Sequence, residues 1–170
     1  GRDRRQRQMC IRDSLGLSIA KGLLINNTIT TLYLTKRDIS SLAEWGAHKQ
    51  VFLTTDNSEA IRKSDIIIFA VQPGQLEKIL TSIKPDLTDK HVLISTITGF
   101  KIDRIEAILG TQFPIIRSMP NTAISVRKSM TCICSNEAGK KRIDIASAIF
   151  NGLGTSCLLY TSDAADDLFR

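Results

Sequence analysis

The segment SDIIIFAV at residues 64–71 constrains the fold of this chain more than any other. Its apolar run, residues 66–71, is too short for a core helix and far too short to cross a bilayer. It suits a strand, and one covered on both faces, since a half-exposed strand would alternate polar and apolar residues. HVLIST at 91–96 and FPIIR at 113–117 repeat the pattern. Shorter strands are expected at 31–35 (TLYLT), 51–54 and 130–134.

Between these strands the apolar spacing changes to that of helices. Residues 15–24 carry Leu15, Ile19, Leu23 and Leu24 on one face. Residues 75–83 place Leu76, Ile79, Leu80 and Ile83 on one stripe, with Pro73 just ahead, where proline is tolerated. Residues 101–109 repeat the stripe and end at Gly110, a C-terminal stop. Residues 136–153 are expected to form the longest helix, with Ile143, Ala146, Ile149, Phe150 and Leu153 facing inward. Strands alternating with helices imply an α/β fold with a doubly wound, mostly parallel sheet.

The two ends depart from this pattern. Residues 1–13 show no strand, although a doubly wound domain should open with one, so the first strand is expected to be disrupted. MCIRDS at 9–14 and LLYTSDAADD at 158–167 look like translated sequencing-adapter DNA. The chain is therefore read as a non-native basic arm at 1–14, a nucleotide-binding domain at 15–160 and a non-native acidic tail at 161–170. The formal charge of +6 splits accordingly, with +3 in residues 1–13 and −2 in the tail. The basic arm lacks interleaved aromatic residues, so no nucleic-acid partner is expected. No secretory signal or membrane span is evident, which makes the cytoplasm the expected compartment.

Cys132-x-Cys134 lies in an alternating segment, so both thiols should point to one face. They are read as buried structural thiols rather than a metal or redox site, since neither His48 nor His91 lies nearby. No metal site is expected.

The residues that carry chemistry follow the strands. A dinucleotide fold usually opens strand, G-x-G-x-x-G, helix, so that backbone and helix N-terminus meet the pyrophosphate. Only the last glycine, Gly16, is present; Ile11 and Asp13 stand where the others would fall. Read literally, this loop is damaged as a phosphate cradle. After LYL at 32–34 come Thr35, Lys36 and Arg37. An NAD-preferring site would usually place a carboxylate there, whereas two cations and a hydroxyl suit a 2′-phosphate. NADPH is therefore the expected cofactor ahead of NADH. Ala70, Val71, Gln72 and Pro73, then Thr98 and Gly99, then Met119, Pro120 and Asn121 also follow strands, and could converge on one crevice.

Read together, five segments resemble the Δ1-pyrroline-5-carboxylate reductases. They are LGLSIAKGLL (15–24), SDIIIFAVQPGQL (64–76), LISTITGF (93–100), IIRSMPNTAISVRKSMT (115–131) and FNGLGTSCLL (150–159). Within them Arg117, Met119, Pro120, Asn121 and Thr122 match R-x-M-P-N-T-P, and Ala123 replaces its second proline. The resemblance implies a Rossmann-like domain and NAD(P)H-dependent reduction of 1-pyrroline-5-carboxylate, the last step of proline biosynthesis. It places Gly16, Thr35–Arg37, Ala70–Pro73, Thr98, Gly99 and Asn121 against the cofactor. Met119, Pro120 and Asn121 would border the nicotinamide and the cyclic imino acid. The alternatives are another NADP-linked reductase of β-hydroxyacid dehydrogenase or F420-oxidoreductase type, which would lack M-P-N-T, and a non-enzymatic nucleotide- or partner-binding module.

In the family, the chain continues into a helical domain that dimerises and completes the substrate pocket; nothing after Leu159 matches it. The homo-oligomer is thus expected to form through a domain absent here, and this chain to turn over little or not at all. A steady-state assay of proline formation by the 170-residue chain tests this; normal turnover would overturn it.

Overall fold

The computed structural model describes residues 5–11, 14–27 and 29–159. Arg12, Asp13 and the acidic tail at 161–170 lie outside the described residues. Eight strands form one sheet in the order β3-β2-β1-β4-β5-β6-β7-β8. They are β1 (Arg5–Ile11), β2 (Ile29–Thr35), β3 (Val51–Thr54), β4 (Ile66–Ala70), β5 (Val92–Ser95), β6 (Ile115–Met119), β7 (Ser129–Ser135) and β8 (Gly154–Leu158). All neighbours run parallel except β6 and β7. The helices are α1 (Ser14–Ile25), α2 (Asn57–Arg62), α3 (Pro73–Ile83), α4 (Ile102–Leu109) and α5 (Ile143–Asn151). A 3-10 helix, Ser40–Ala47, stands between β2 and β3.

β4 shows why its sequence is apolar throughout. All five of its residues are buried. Ile66 and Ile68 pack in a cluster with Ile19 and Leu23 of α1, Leu42 of the 3-10 helix and Phe150 of α5. Ile67 and Phe69 face the other way, into a cluster with Ile61 of α2, Leu76 and Leu80 of α3, and Ile105 of α4. Each such side chain contributes about 1.5–3 kcal/mol on burial, so both faces stabilise the strand. On the first face a Cβ at Gly22 of α1 would collide with Leu153, so the glycine lets α1 settle against the end of α5.

Two expectations are corrected. Residues 1–13 do hold a strand: β1 lies mid-sheet and pairs with both β2 and β4. Its sequence, RQRQMCI, lacks a strand's apolar pattern, but ladder bonds are made by the backbone, and two parallel edges are satisfied at once. One register irregularity, at Arg5/Gln6, marks its start. The order 3-2-1-4-5-6 is therefore complete, with its switch point between β1 and β4.

The second correction concerns residues 136–153, which are not one long helix. A turn and a short 3-10 helix, Lys140–Arg142, precede the nine-residue α5. Asn136 is the cause. Its Oδ1 accepts from the backbone N–H of Ile115 (3.0 Å) and Gly139 (2.8 Å). Its Nδ2 donates to Glu106 Oε1 (2.8 Å) and the Phe113 carbonyl (2.9 Å). One buried amide thus fills all four of its hydrogen-bonding positions. Gly139 must be small here, because a Cβ would stand 2.8 Å from the Ile115 carbonyl oxygen.

Removing this amide should strand buried backbone groups of β6 and its approach. Asn136→Ala is expected to cost about 3 kcal/mol, read as a lower midpoint in urea unfolding. A change below about 0.5 kcal/mol, the scale of ordinary surface substitutions, would show that water replaces the amide without loss.

Candidate cofactor site

The parallel strands β2, β4, β5 and β6 all end at one edge of the sheet, so the residues that follow them emerge together. This is where open α/β sheets bind ligands. Thr35, Ala70 and Met119 close β2, β4 and β6, and Thr98–Gly99 stand just past β5.

A cavity of about 420 Å³ lies at this edge, lined by Lys36, Arg37, Asp38, Thr55, Asn57, Val71, Gln75, Lys78, Ile79 and Ser82. Of the expected cofactor residues it brings together Lys36, Arg37 and Val71. Lys36 Nζ donates to Ser41 Oγ at 2.8 Å. Asp38 is turned to its own loop, accepting from the Ser40 hydroxyl (2.6 Å) and the Ser40 N–H (2.9 Å). Those bonds, with Lys36 beside them, hold its carboxyl below the usual carboxylate range. Lys78, from α3, adds a third cation to the lining. Next to these residues Thr35 is 1% exposed, and its hydroxyl has no hydrogen-bond partner among the described residues.

This donor set fits a phosphate-bearing ligand: three cations, and a carboxylate already engaged by Ser40. Sequence reasoning missed Thr55, Asn57 and Lys78. The helix that positions Asn57 carried a readable signal, for Asp56 caps α2 by accepting from the N–H of Ser58 (2.9 Å) and Glu59 (3.2 Å). Asp at the cap with Glu three residues on is the pattern of a helix start.

The other expected residues occupy the edge but do not line this cavity. Gly16 is buried in the first turn of α1. Gln72 precedes α3 with extended backbone and an exposed side chain, and Pro73 sits in the first turn, where no N–H is needed. Gly99 has φ +76°, and a Cβ there would meet nothing within 4 Å, so backbone conformation rather than space favours glycine. Met119 is 8% exposed, and Pro120 is half-buried. Asn121 has a turn role: its Oδ1 accepts from the Ala123 N–H (3.1 Å), capping a 3-10 helix at Thr122–Val126. Its own N–H donates to Ser129 Oγ (3.2 Å), which ties the end of β6 to the start of β7. Asp13 lies outside the described residues, so the loop reading that rested on it has no counterpart here.

A family model described as NADP oxidoreductase, coenzyme F420-dependent, matches residues 14–99, half of the chain. The chain belongs to this family of NADP oxidoreductases. Its relatives include pyrroline-5-carboxylate reductase 1 of Dictyostelium discoideum, 37% identical over 163 residues, covering 86% of this chain and 29% of the relative. Another is pyrroline-5-carboxylate reductase 2 of Bacillus subtilis, 34% identical over 130 residues, covering 75% and 46%. Among solved structures, a pyrroline-5-carboxylate reductase from Coxiella burnetii superposes with a TM-score of 0.91 at 25% identity, covering 98% of this chain and 63% of that one. The enzyme from Plasmodium falciparum, solved with NADP bound, gives 0.83 at 25% identity, covering 96% and 61%. The chain thus spans less than two thirds of each. A match over 86% of the chain necessarily includes residues 119–122, so the M-P-N-T segment lies inside the likeness to the reductases. Among the described residues of the chain, no helix is long and apolar enough to cross a membrane.

The buried hydroxyl of Thr35 makes a test of the strand end behind the pocket. Thr35→Val keeps the shape and removes a buried polar atom, so stability without cofactor should rise by about 1 kcal/mol. A loss of that size in urea unfolding would show that the hydroxyl is satisfied in solution.

Proposed function

We propose that this chain is the cofactor-binding part of an NADPH-dependent reductase acting on the cyclic C=N bond of 1-pyrroline-5-carboxylate. The observation that carries the proposal is the charge at the end of β2. Lys36 and Arg37 face a cavity that Lys78 closes from α3, and Asp38 is committed to Ser40. A 2′-hydroxyl asks for a carboxylate in this place; a 2′-phosphate asks for a guanidinium and its companions.

In this reading Lys36, Arg37 and Lys78 hold the phosphate of the adenosine half. Ala70 to Pro73 and Thr98–Gly99 border the middle of the dinucleotide. Met119 and Pro120 supply an apolar wall beside the reacting ring, and Asn121 fixes the turn that presents them. When bound, the cofactor supplies a hydride to the imine carbon. What the chain's own residues contribute is alignment and exclusion of water. Neither histidine serves the reaction. His48 borders a separate hollow with Thr30 and Gln50. His91 Nδ1 accepts from the Thr88 N–H (2.9 Å), so its Nε2 donates to the Ile61 carbonyl (3.2 Å). The proton for the imine nitrogen comes from solvent or from the substrate itself. The likeness to pyrroline-5-carboxylate reductases through residues 119–122 supports the substrate class.

Titration of the chain with NADPH and with NADH, followed by nicotinamide fluorescence, tests the assignment. Arg37→Glu is expected to weaken NADPH about tenfold, roughly 1.4 kcal/mol, and to leave NADH within about a factor of two. Equal losses for both cofactors would remove Arg37 from the 2′-phosphate and with it the main support for the reading.

A further inference from the structure

The second thiol of interest lies across the sheet from Cys132, not two residues along it. In the parallel pairing of β7 with β8, Cys132 and Cys157 are direct register partners. Their sulfurs stand 3.3 Å apart, the Cys157 thiol donating to Cys132. Both are half-buried. β8 is the last strand of the sheet, so its far edge is unpaired among the described residues.

We propose that Cys132 and Cys157 form a dithiol–disulfide site that closes under oxidation. Geometry selects this pair over every other. Neighbouring strands lie about 4.8 Å apart, inside the roughly 4.4–6.8 Å Cα range of disulfides. Cys134, two residues along the same strand, is about 6.6 Å further on, its side chain parallel to that of Cys132, and it is 1% exposed within the apolar cluster. Cys10 belongs to β1, four strand positions from β7, or about 19 Å.

The oxidant is a low-molecular-weight disulfide of the glutathione class. Cys157, on the open edge strand, attacks one of its sulfurs; one thiol leaves and takes the first proton. Cys132 then attacks the sulfur of Cys157 in the mixed disulfide, and the second thiol leaves with the second proton. Two protein thiols are oxidised, and one external disulfide is reduced to two thiols. Burial and the contact with Cys157 push the Cys132 thiol up to about 11, so closure is slow at neutral pH and faster in alkali. Cys132 is also the register partner of Met119 in the β6–β7 pairing. The staple therefore joins the outer edge of the sheet to β7, the neighbour of the strand that carries Met119.

The experiment incubates the full chain with oxidised glutathione at pH 8, blocks remaining thiols and maps the peptides by mass under non-reducing conditions. The expected product is a peptide pair joined through Cys132 and Cys157, lighter by two hydrogens, with a higher thermal midpoint that falls back on reduction. Cys157→Ser should lose the joined pair, and Cys134→Ser should keep it. A persistent glutathione adduct on either thiol without the joined pair would overturn the proposal. So would a disulfide through Cys134 or Cys10 in the unmodified chain.

Discussion

The slot between β2 and β4 is the constraint on which the rest of this structure depends. Both strands offer parallel edges, and either edge left open would strand a row of buried backbone groups. β1 fills the slot with its backbone ladder, although RQRQMCI lacks the alternation of a strand. With β1 in place the order reverses between β1 and β4, and α1 and α3 pass to opposite faces of the sheet. That reversal opens a crevice at the carboxyl edge; without it the cations after β2 and the turn after β4 would not share a mouth.

A second constraint sits at the one antiparallel step. β7 turns back on β6, and the turn is held from both ends. Asn121 and Ser129 bind its beginning, and Asn136 anchors its return to Ile115 and Phe113. Gly154, with φ +148°, then lets β8 pass close to the Ser129 backbone, where a Cβ would collide. Reversal and crossing together fix the row Met119, Cys132, Cys157 across three strands. One row thus carries both an apolar residue of the proposed site and the two facing thiols.

Legibility in the sequence followed the source of each element's stability. β4, β5, β6, α3 and α4 were readable because apolar burial forms them, and burial leaves a period in the residues. β1 was not, because its placement comes from neighbours' backbone demands. The break at 136–139 was equally hidden, since Asn136 acts through four partners, three of them at least 21 residues away in sequence. At the candidate site, Lys36 and Arg37 were legible from their place after a strand. Asn57 and Lys78 were not, for they reach the cavity from helices whose orientation only the assembled sheet determines. Cys157 was missed as the partner of Cys132 for the same reason: cross-strand register is invisible to local spacing.

The sheet's spacing decides what kind of ligand this edge can serve. The cationic cavity follows β2, whereas Met119–Asn121 follow β6, four strand positions away in the order β2-β1-β4-β5-β6. At about 4.8 Å per strand the two lie about 19 Å apart. A cyclic imino acid reaches only one of them, and an isolated phosphate only the other. The ligand that engages both is long, carries its extra negative charge at one end and its reacting ring at the other, and lies across the switch point between. That is the shape of NADPH. In the proposed reading the separation also divides the work: residues at the end of β2 would discriminate between cofactors, and residues at the end of β6 would align the ring. On that reading a charge change at Arg37 alters cofactor choice while the geometry at Met119 stays as it is.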